Sequence, residues 1–331
     1  MELAAGPVDM VGPVPARVAE LNAKLAGVLR RSKAPATLRA YRSDWADFCR
    51  WCDRLGVVAL PADPATVALY IAELADPCDA SAPRAVSTIS RRLASISAAH
   101  KLAGHANPCL DELVKETFKG VRRMLGVAAR HAKTGIGTND IAAVIAGLDE
   151  RRLIDQRDRA LLLVGFAGGF RRSELASLHV TDIEQHPEGL LVSVRRSKTD
   201  QEQTGRRVEI VPGRHRATCP VAAYRAWIEQ AGIHDGPVFR AVNRHGHISP
   251  RALSPQAVAL IVKRHIARLG YDPTHFAGHS LRRGHATTAA RNGATDRTIM
   301  ASTGHTNTRT LNAYISDAEL FTNPASSYLD L

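Results

Sequence analysis

The chain has 331 residues, 45% of them apolar and 23% charged, which is ordinary globular composition and excludes a disordered, collagen-like or small disulfide-stapled chain. Lys and Arg number 44 against 32 Asp and Glu, a formal charge of +12 spread over both halves of the sequence, and an excess of that size points to a polyanionic partner. No apolar run of about 18 residues predicts a membrane span, no basic stretch followed by an apolar core predicts a secretory leader, and an odd count of 5 cysteines fits a reducing cytoplasm better than a disulfide framework.

Residues 1–17, with Pro7, Pro13 and Pro15 beside Gly6 and Gly12, read as a flexible tail. A helical pattern starts near Val18. Leu38, Tyr41, Trp45, Phe48 and Cys52 recur three and four residues apart, one face of a helix, with Thr37 as its N-cap and Gly56 as its stop. A second helix begins at Asp63 or Pro64, and a third and fourth follow over 82–104 and 107–125, so 18–125 predicts an all-helical bundle. Residues 126–138 are poor in large apolar side chains and rich in Gly and basic residues, and they read as a linker. The second domain, 139–331, opens with helical patterns, one of which is an apolar helix ending at Gly168-Gly169. A further helix follows from Arg171. Leu190–Val194 and Arg207–Val211 predict two strands of a hairpin with loop 197–205, and helical patterns resume from Pro220. The fold class is therefore mainly α, an N-terminal helical bundle plus an α-rich second domain with a small antiparallel β-sheet. Cys49-x-x-Cys52 on an amphipathic helix predicts buried thiols rather than a zinc site. His245 and His247 predict solvated loop histidines.

Two segments concentrate reactive residues: 168–178 and 278–315. A phosphodiester displacement without metal needs three things. Guanidinium forks must hold the non-bridging oxygens, a nucleophile must attack, and an acid must protonate the leaving oxygen. Arg171, Arg282, His279 and His305 supply an anion cluster, Tyr314 a nucleophile, and Lys198 at the hairpin tip an acid.

These residues stand in four ordered boxes: Gly169-Phe170-Arg171-Arg172-Ser173-Glu174-Leu175, Ser197-Lys198-Thr199, His279-Ser280-Leu281-Arg282, and Gly304-His305 with Tyr314 nine residues later. In order and spacing the set resembles the tyrosine recombinase (phage integrase) family, most similar in layout to its Cre-like members. The resemblance implies a two-domain clamp on DNA, a catalytic domain at 139–331 and a DNA-binding bundle at 18–125. It also implies site-specific recombination through a 3′-phosphotyrosine and a Holliday junction, with no cofactor and no metal. By resemblance Tyr314 attacks the phosphate, Arg171 and Arg282 clamp it, and His305 hydrogen-bonds it. His279 assists proton transfer at the tyrosine, Lys198 protonates the leaving 5′-oxygen, and Glu174 orients the anion-binding side chains. Arg283 and Gly284 stand where many members carry His-Thr, a departure that touches packing more than chemistry. The short stretch before the first helix implies that the arm-binding domain of some phage integrases is absent.

Arg39, Arg42, Arg84, Ser87 and Arg91 occupy polar helix faces of the bundle that could meet phosphates or base edges. In the second domain Gln256 is a candidate base reader. The apolar residues of 315–331, Leu320, Phe321, Tyr328 and Leu329, predict docking on a neighbouring protomer. The implied partners are double-stranded DNA with short inverted repeats and three further copies of the chain, with no membrane and no small-molecule substrate. The runner-up readings are a type IB topoisomerase-like enzyme and a non-catalytic DNA-binding regulator.

Overall fold

Pro35 opens the first helix whose whole span is described. In the computed structural model, which describes residues 20, 24, 34–79, 81–126, 133–195, 205–305, 307, 308 and 311, helix α1 spans Pro35–Leu55 with Ala34 at its N-cap. Proline at the first helical position arrives with its φ preset and lacks only an N–H that would have had no partner there. It therefore starts the helix ahead of Thr37, whose N–H bonds the Ala34 carbonyl at 2.9 Å. The expected stop holds: Gly56 takes a left-handed conformation with φ 66°, which a glycine adopts without steric cost.

The chain divides into two units at Arg130/His131. In the first, α1 lies against α3 (Val86–Leu102), and α2 (Pro64–Ala75) against α4 (Glu112–Leu125). Asp63 caps α2 by accepting the Ala65 N–H at 2.8 Å, and Asp111 caps α4 by accepting the Leu113 N–H at 2.9 Å. Phe48, Trp51, Cys52, Val67, Tyr70, Ile71, Ile89, Ile96, Val114 and Val121 form the core. The rings of Phe48 and Tyr70 sit 5.0 Å apart. His100 is fully buried; its Nε2 accepts the Ala62 N–H at 2.9 Å and its Nδ1 meets the Ile96 carbonyl at 2.9 Å, so both ring nitrogens are satisfied. Cys52 is buried, and burial pushes its thiol up to about 11. Among the described residues no grouping suited to a metal occurs, and no helix is long and apolar enough to cross a membrane.

The second unit is built around α6. In chain order it contains α5 (Thr138–Ala146), α6 (Leu153–Ala167), α7 (Arg172–Ala176), β1 (Ile183–His186), β2 (Gly189–Val194) and β3 (Arg206–Ile210). There follow α8 (Pro220–Gln230), β4 (Arg240–Val242), β5 (Ile248–Ala252), α9 (Pro255–Arg268), α10 (His279–Arg291) and α11 (Asp296–Thr303). Helix α6 is buried almost all round, as a central helix must be, and packs against both α8 and α10. It carries a buried charge network in which Arg157 and His265 bond the fully buried Asp158 at 2.6 and 2.7 Å. The three-stranded sheet runs β1-β2-β3, all antiparallel, with Val192 opposite both Ile183 and Val208 and with Val194 opposite Arg206. Strand β1 and the β4–β5 hairpin have no counterpart in the sequence-based expectation. The β4–β5 pair is short, irregular in register and interrupted by Pro250, so it carries no alternating apolar signal. Its turn is closed by the Asn243 Oδ1, which accepts the N–H groups of His245 and His247 at 2.9 and 3.0 Å; both histidines are exposed.

The expected linker splits. Residues 127–132 lie outside the described residues, as do the tail 1–17 and the segment 315–331. The stretch 133–137 is bonded into the second unit: the Thr134 N–H donates to the His275 carbonyl at 2.9 Å and the Ile136 N–H to the Ser280 carbonyl at 3.1 Å.

Candidate active site

Helix α6 ends at Gly168, and Gly169 turns the chain with φ +58°. A Cβ on Gly169 would sit 2.8 Å from His285 Cδ2 and 3.1 Å from Thr303 Cγ2, so only glycine lets this turn lie against α10 and α11. Phe170 is buried beyond it, and Arg171 becomes the N-cap residue of α7. Glu174, one turn on, accepts the Arg171 backbone N–H at 3.0 Å and its Nη1 at 2.6 Å. The Arg171 Nη2 donates to the Gly304 carbonyl at 3.3 Å. The next residue, Arg172, is exposed. Of the two adjacent arginines it is therefore Arg171 whose guanidinium reaches the Gly304-His305 box.

Arg282 lies in α10, one turn past His279, with its side chain fully buried. Its Nη1 donates to the Gly169 carbonyl at 3.0 Å and also to the Thr303 carbonyl. It thus ties the turn before Arg171 to the end of α11. Helix α11 stops at Gly304, φ +65°, and the chain turns into His305. Thr303 Oγ1 donates to the Ile299 carbonyl at 2.5 Å, so at 2.9 Å from His305 Nδ1 it acts as acceptor; this sets the Nδ1–H tautomer of His305.

The electrostatics follow from this crowding. Burial, then Arg282 and Arg171, push His279 down to about 4. Burial, then Arg282, Arg171, His279 and Arg206, push His305 down to about 3. Both imidazoles are neutral at neutral pH. Burial works to raise Glu174, but Arg206 and Arg171 outweigh it and hold the carboxyl below its usual range. Three guanidiniums and one carboxylate leave a net positive cluster, suited to an anion.

The structure therefore brings Arg171, Glu174, His279, Arg282 and His305 together. Lys198 and Tyr314 lie outside the described residues. Lys198 follows β2 by four positions in the sequence. Tyr314 follows Leu311 by three, and Leu311 is fully buried against Ala286 and Ile299. Arg39, Arg42, Arg84 and Ser87 are exposed on the first unit and Gln256 on α9 of the second. Arg91 is also exposed, but the buried Asp44 fixes it: Nε donates to Oδ2 at 2.7 Å and Nη2 to Oδ1 at 3.0 Å.

Sequence reading missed Arg206, the first residue of β3. Its guanidinium Nη2 and Nη1 lie 2.8 and 3.2 Å from the two oxygens of Glu174. A signal existed: Arg206 shares the alternation of Val208 and Ile210, the buried face of the strand, and a charge in that register needs a partner. It also missed His285, whose Nδ1 meets the Phe166 carbonyl and whose Nε2 meets Ser302 Oγ, both at 2.9 Å, pinning α6, α10 and α11 together.

A mainly helical two-unit protein whose second unit gathers two arginine boxes and a Gly-His box into one positively charged cluster is of the DNA strand-transferase type. The sequence profile of the phage integrase family matches residues 138–320. The chain is 39% identical over 308 residues to an integrase/recombinase xerD homolog of Selenomonas ruminantium, covering 92% of this chain and 88% of that one. It is 25% identical over 291 residues to recombinase cre of Escherichia phage P1, covering 82% and 80%. Its fold matches that of the XerH site-specific recombinase, solved bound to its palindromic difH substrate, with TM-score 0.65 at 14% identity over 96% of this chain and 86% of that one. The chain belongs to the phage integrase family of tyrosine recombinases.

Proposed function

We propose that this protein is a site-specific DNA recombinase that cuts and rejoins strands through a 3′-phosphotyrosine. The observation that carries the reading is the convergence of Arg171, His279, Arg282 and His305, drawn from three separate segments of the chain into one net positive cluster, with Glu174 bonded to Arg171. In this reading the Tyr314 oxygen attacks the scissile phosphorus, and the bond to the 5′-oxygen breaks. Lys198 gives that oxygen a proton. His279, neutral at neutral pH, takes the phenol proton, a task that requires an unprotonated imidazole. Arg171 and Arg282 hold the non-bridging oxygens, where charge grows in the pentacoordinate state, and His305, protonated as the phosphate arrives, donates its Nε2–H to the same phosphate. The phosphotyrosine conserves the bond energy, so a 5′-hydroxyl from another strand reverses the attack and rejoins the backbone. Nothing in this sequence of steps calls for metal or nucleotide.

The excess positive charge suits duplex DNA. Arg39, Arg42, Arg84, Ser87 and Arg91 face it from the first domain and Gln256 from the second, with the two domains closing as a clamp on short inverted-repeat sites. The segment 315–331 docks on a neighbouring copy, and four copies assemble on two sites to pass through a Holliday junction. The activities named for the relatives support this reading. The test is to incubate the protein with sheared genomic DNA, denature it, and sequence the fragments that stay attached. Attachment at strand 3′ ends beside a short inverted repeat is the expected result; recovery of no attached fragment contradicts the reading.

A further inference from the structure

The contacts of Arg206 have no place in the reaction set out above. Arg206 is the first residue of β3 and faces Val194, the last residue of β2, so it closes the hairpin at its mouth. Its side chain is mostly buried, 14% exposed, and spends all three of its nitrogens on three acceptor oxygens from two residues. Nη2 and Nη1 reach the Glu174 oxygens at 2.8 and 3.2 Å, and Nε donates to the Ser302 carbonyl at 3.1 Å. The Glu174 oxygens are the same two that accept from Arg171. Gly304 makes room for the arrangement: a Cβ there would lie 3.0 Å from Arg206 Cδ and 3.1 Å from Nη1.

We propose that Arg206 is a positioning residue for the phosphate clamp. It shares the Glu174 carboxylate with Arg171, and through that carboxylate it sets where the Arg171 guanidinium points and how much of its charge remains for a phosphate. The inference rests on the recombinase reading of the site. A buried carboxylate paired with one arginine is a neutral couple, and the carboxylate is then stabilised only by pulling that arginine towards itself. With two arginines the trio keeps a net positive charge and the carboxylate is held from two directions. Lysine cannot substitute fully, because a single ammonium cannot span both oxygens and a backbone carbonyl as the planar fork does.

Single-turnover formation of the covalent adduct at saturating DNA tests the proposal on two substrates. One carries the natural scissile phosphodiester and the other a methylphosphonate at that position, which is neutral and gains little from a guanidinium. Arg206→Ala should slow the phosphodiester about 100-fold and the methylphosphonate less than about threefold, with DNA affinity close to wild type. Arg206→Lys should fall between, and it carries the test if Arg206→Ala does not fold. Arg207→Ala, altering an exposed neighbour on the other face of β3, should change neither rate. An equal loss on both substrates, or no loss on the phosphodiester, overturns the proposal. A wild-type chain that forms no adduct on either substrate overturns the recombinase reading instead.

Discussion

The carbonyl oxygen of Ile136 lies 1.9 Å from the point a Cβ on residue 284 would occupy. Gly284 is therefore the residue that lets the stretch 134–136 lie directly on α10, the helix that carries His279 and Arg282. The contact involves backbone on one side, so no side chain can swing away to relieve it. Gly284→Ala should destabilise the second unit by about 2–3 kcal/mol or more through overpacking, and it should slow cleavage by displacing α10. Chemical denaturation of the variant checks this; an unchanged midpoint would show that the 134–136 stretch shifts freely.

His305 gives a pH prediction whose sign can be worked out. In the free protein burial and the arginines hold it at about 3, below its ordinary value of 6.5. Thr303 occupies its Nδ1, so donation to a phosphate has to come from Nε2–H, which the Nδ1–H tautomer gains only on protonation. An arriving phosphate anion raises the folded-state pKa, and a ligand that raises a pKa binds more tightly as pH falls through the raised value. As pH falls towards that raised value, DNA affinity of the wild type should therefore increase more steeply than that of His305→Asn, measured at constant ionic strength. Equal slopes for the two proteins would remove His305 from the phosphate.

Lys198 is testable without structural detail. Lys198→Ala should slow cleavage by about 100-fold or more where the leaving group is an ordinary 5′-oxygen. A 5′-bridging sulfur leaves as a stable thiolate and needs no acid, so the same variant should cleave that substrate at close to the wild-type rate. Loss of rate on both substrates would assign the lysine another role.

The parts of the site that were legible in the sequence are those that chemistry forces into short strings. Arg171 with Glu174 spans one helical turn, His279 with Arg282 spans another, and Gly304-His305 needs a left-handed stop followed at once by the imidazole. The helix start at Pro35 and the short β4–β5 hairpin were misread or missed, because one proline outweighed a better capping residue and because edge strands of three and five residues carry too few positions to alternate. Arg206 escaped for a related reason. Starting β3 at Arg207 leaves its inward-facing neighbour outside the strand, and a side chain whose partner is 32 residues earlier in the chain leaves no local pattern. His285 likewise works through backbone carbonyl and hydroxyl contacts that appear only once three helices are packed.

The most direct measurement concerns Tyr314. A nicked half-site duplex that lets the downstream strand diffuse away should trap wild-type protein as an SDS-resistant adduct, linked to the 3′ end of the cut strand and resolved by peptide mapping to Tyr314. Tyr314→Phe, which lacks only the phenol oxygen, should bind the same duplex with wild-type affinity and form no adduct. Recovery of an adduct from Tyr314→Phe, or mapping of the wild-type link to any other residue, would contradict the account.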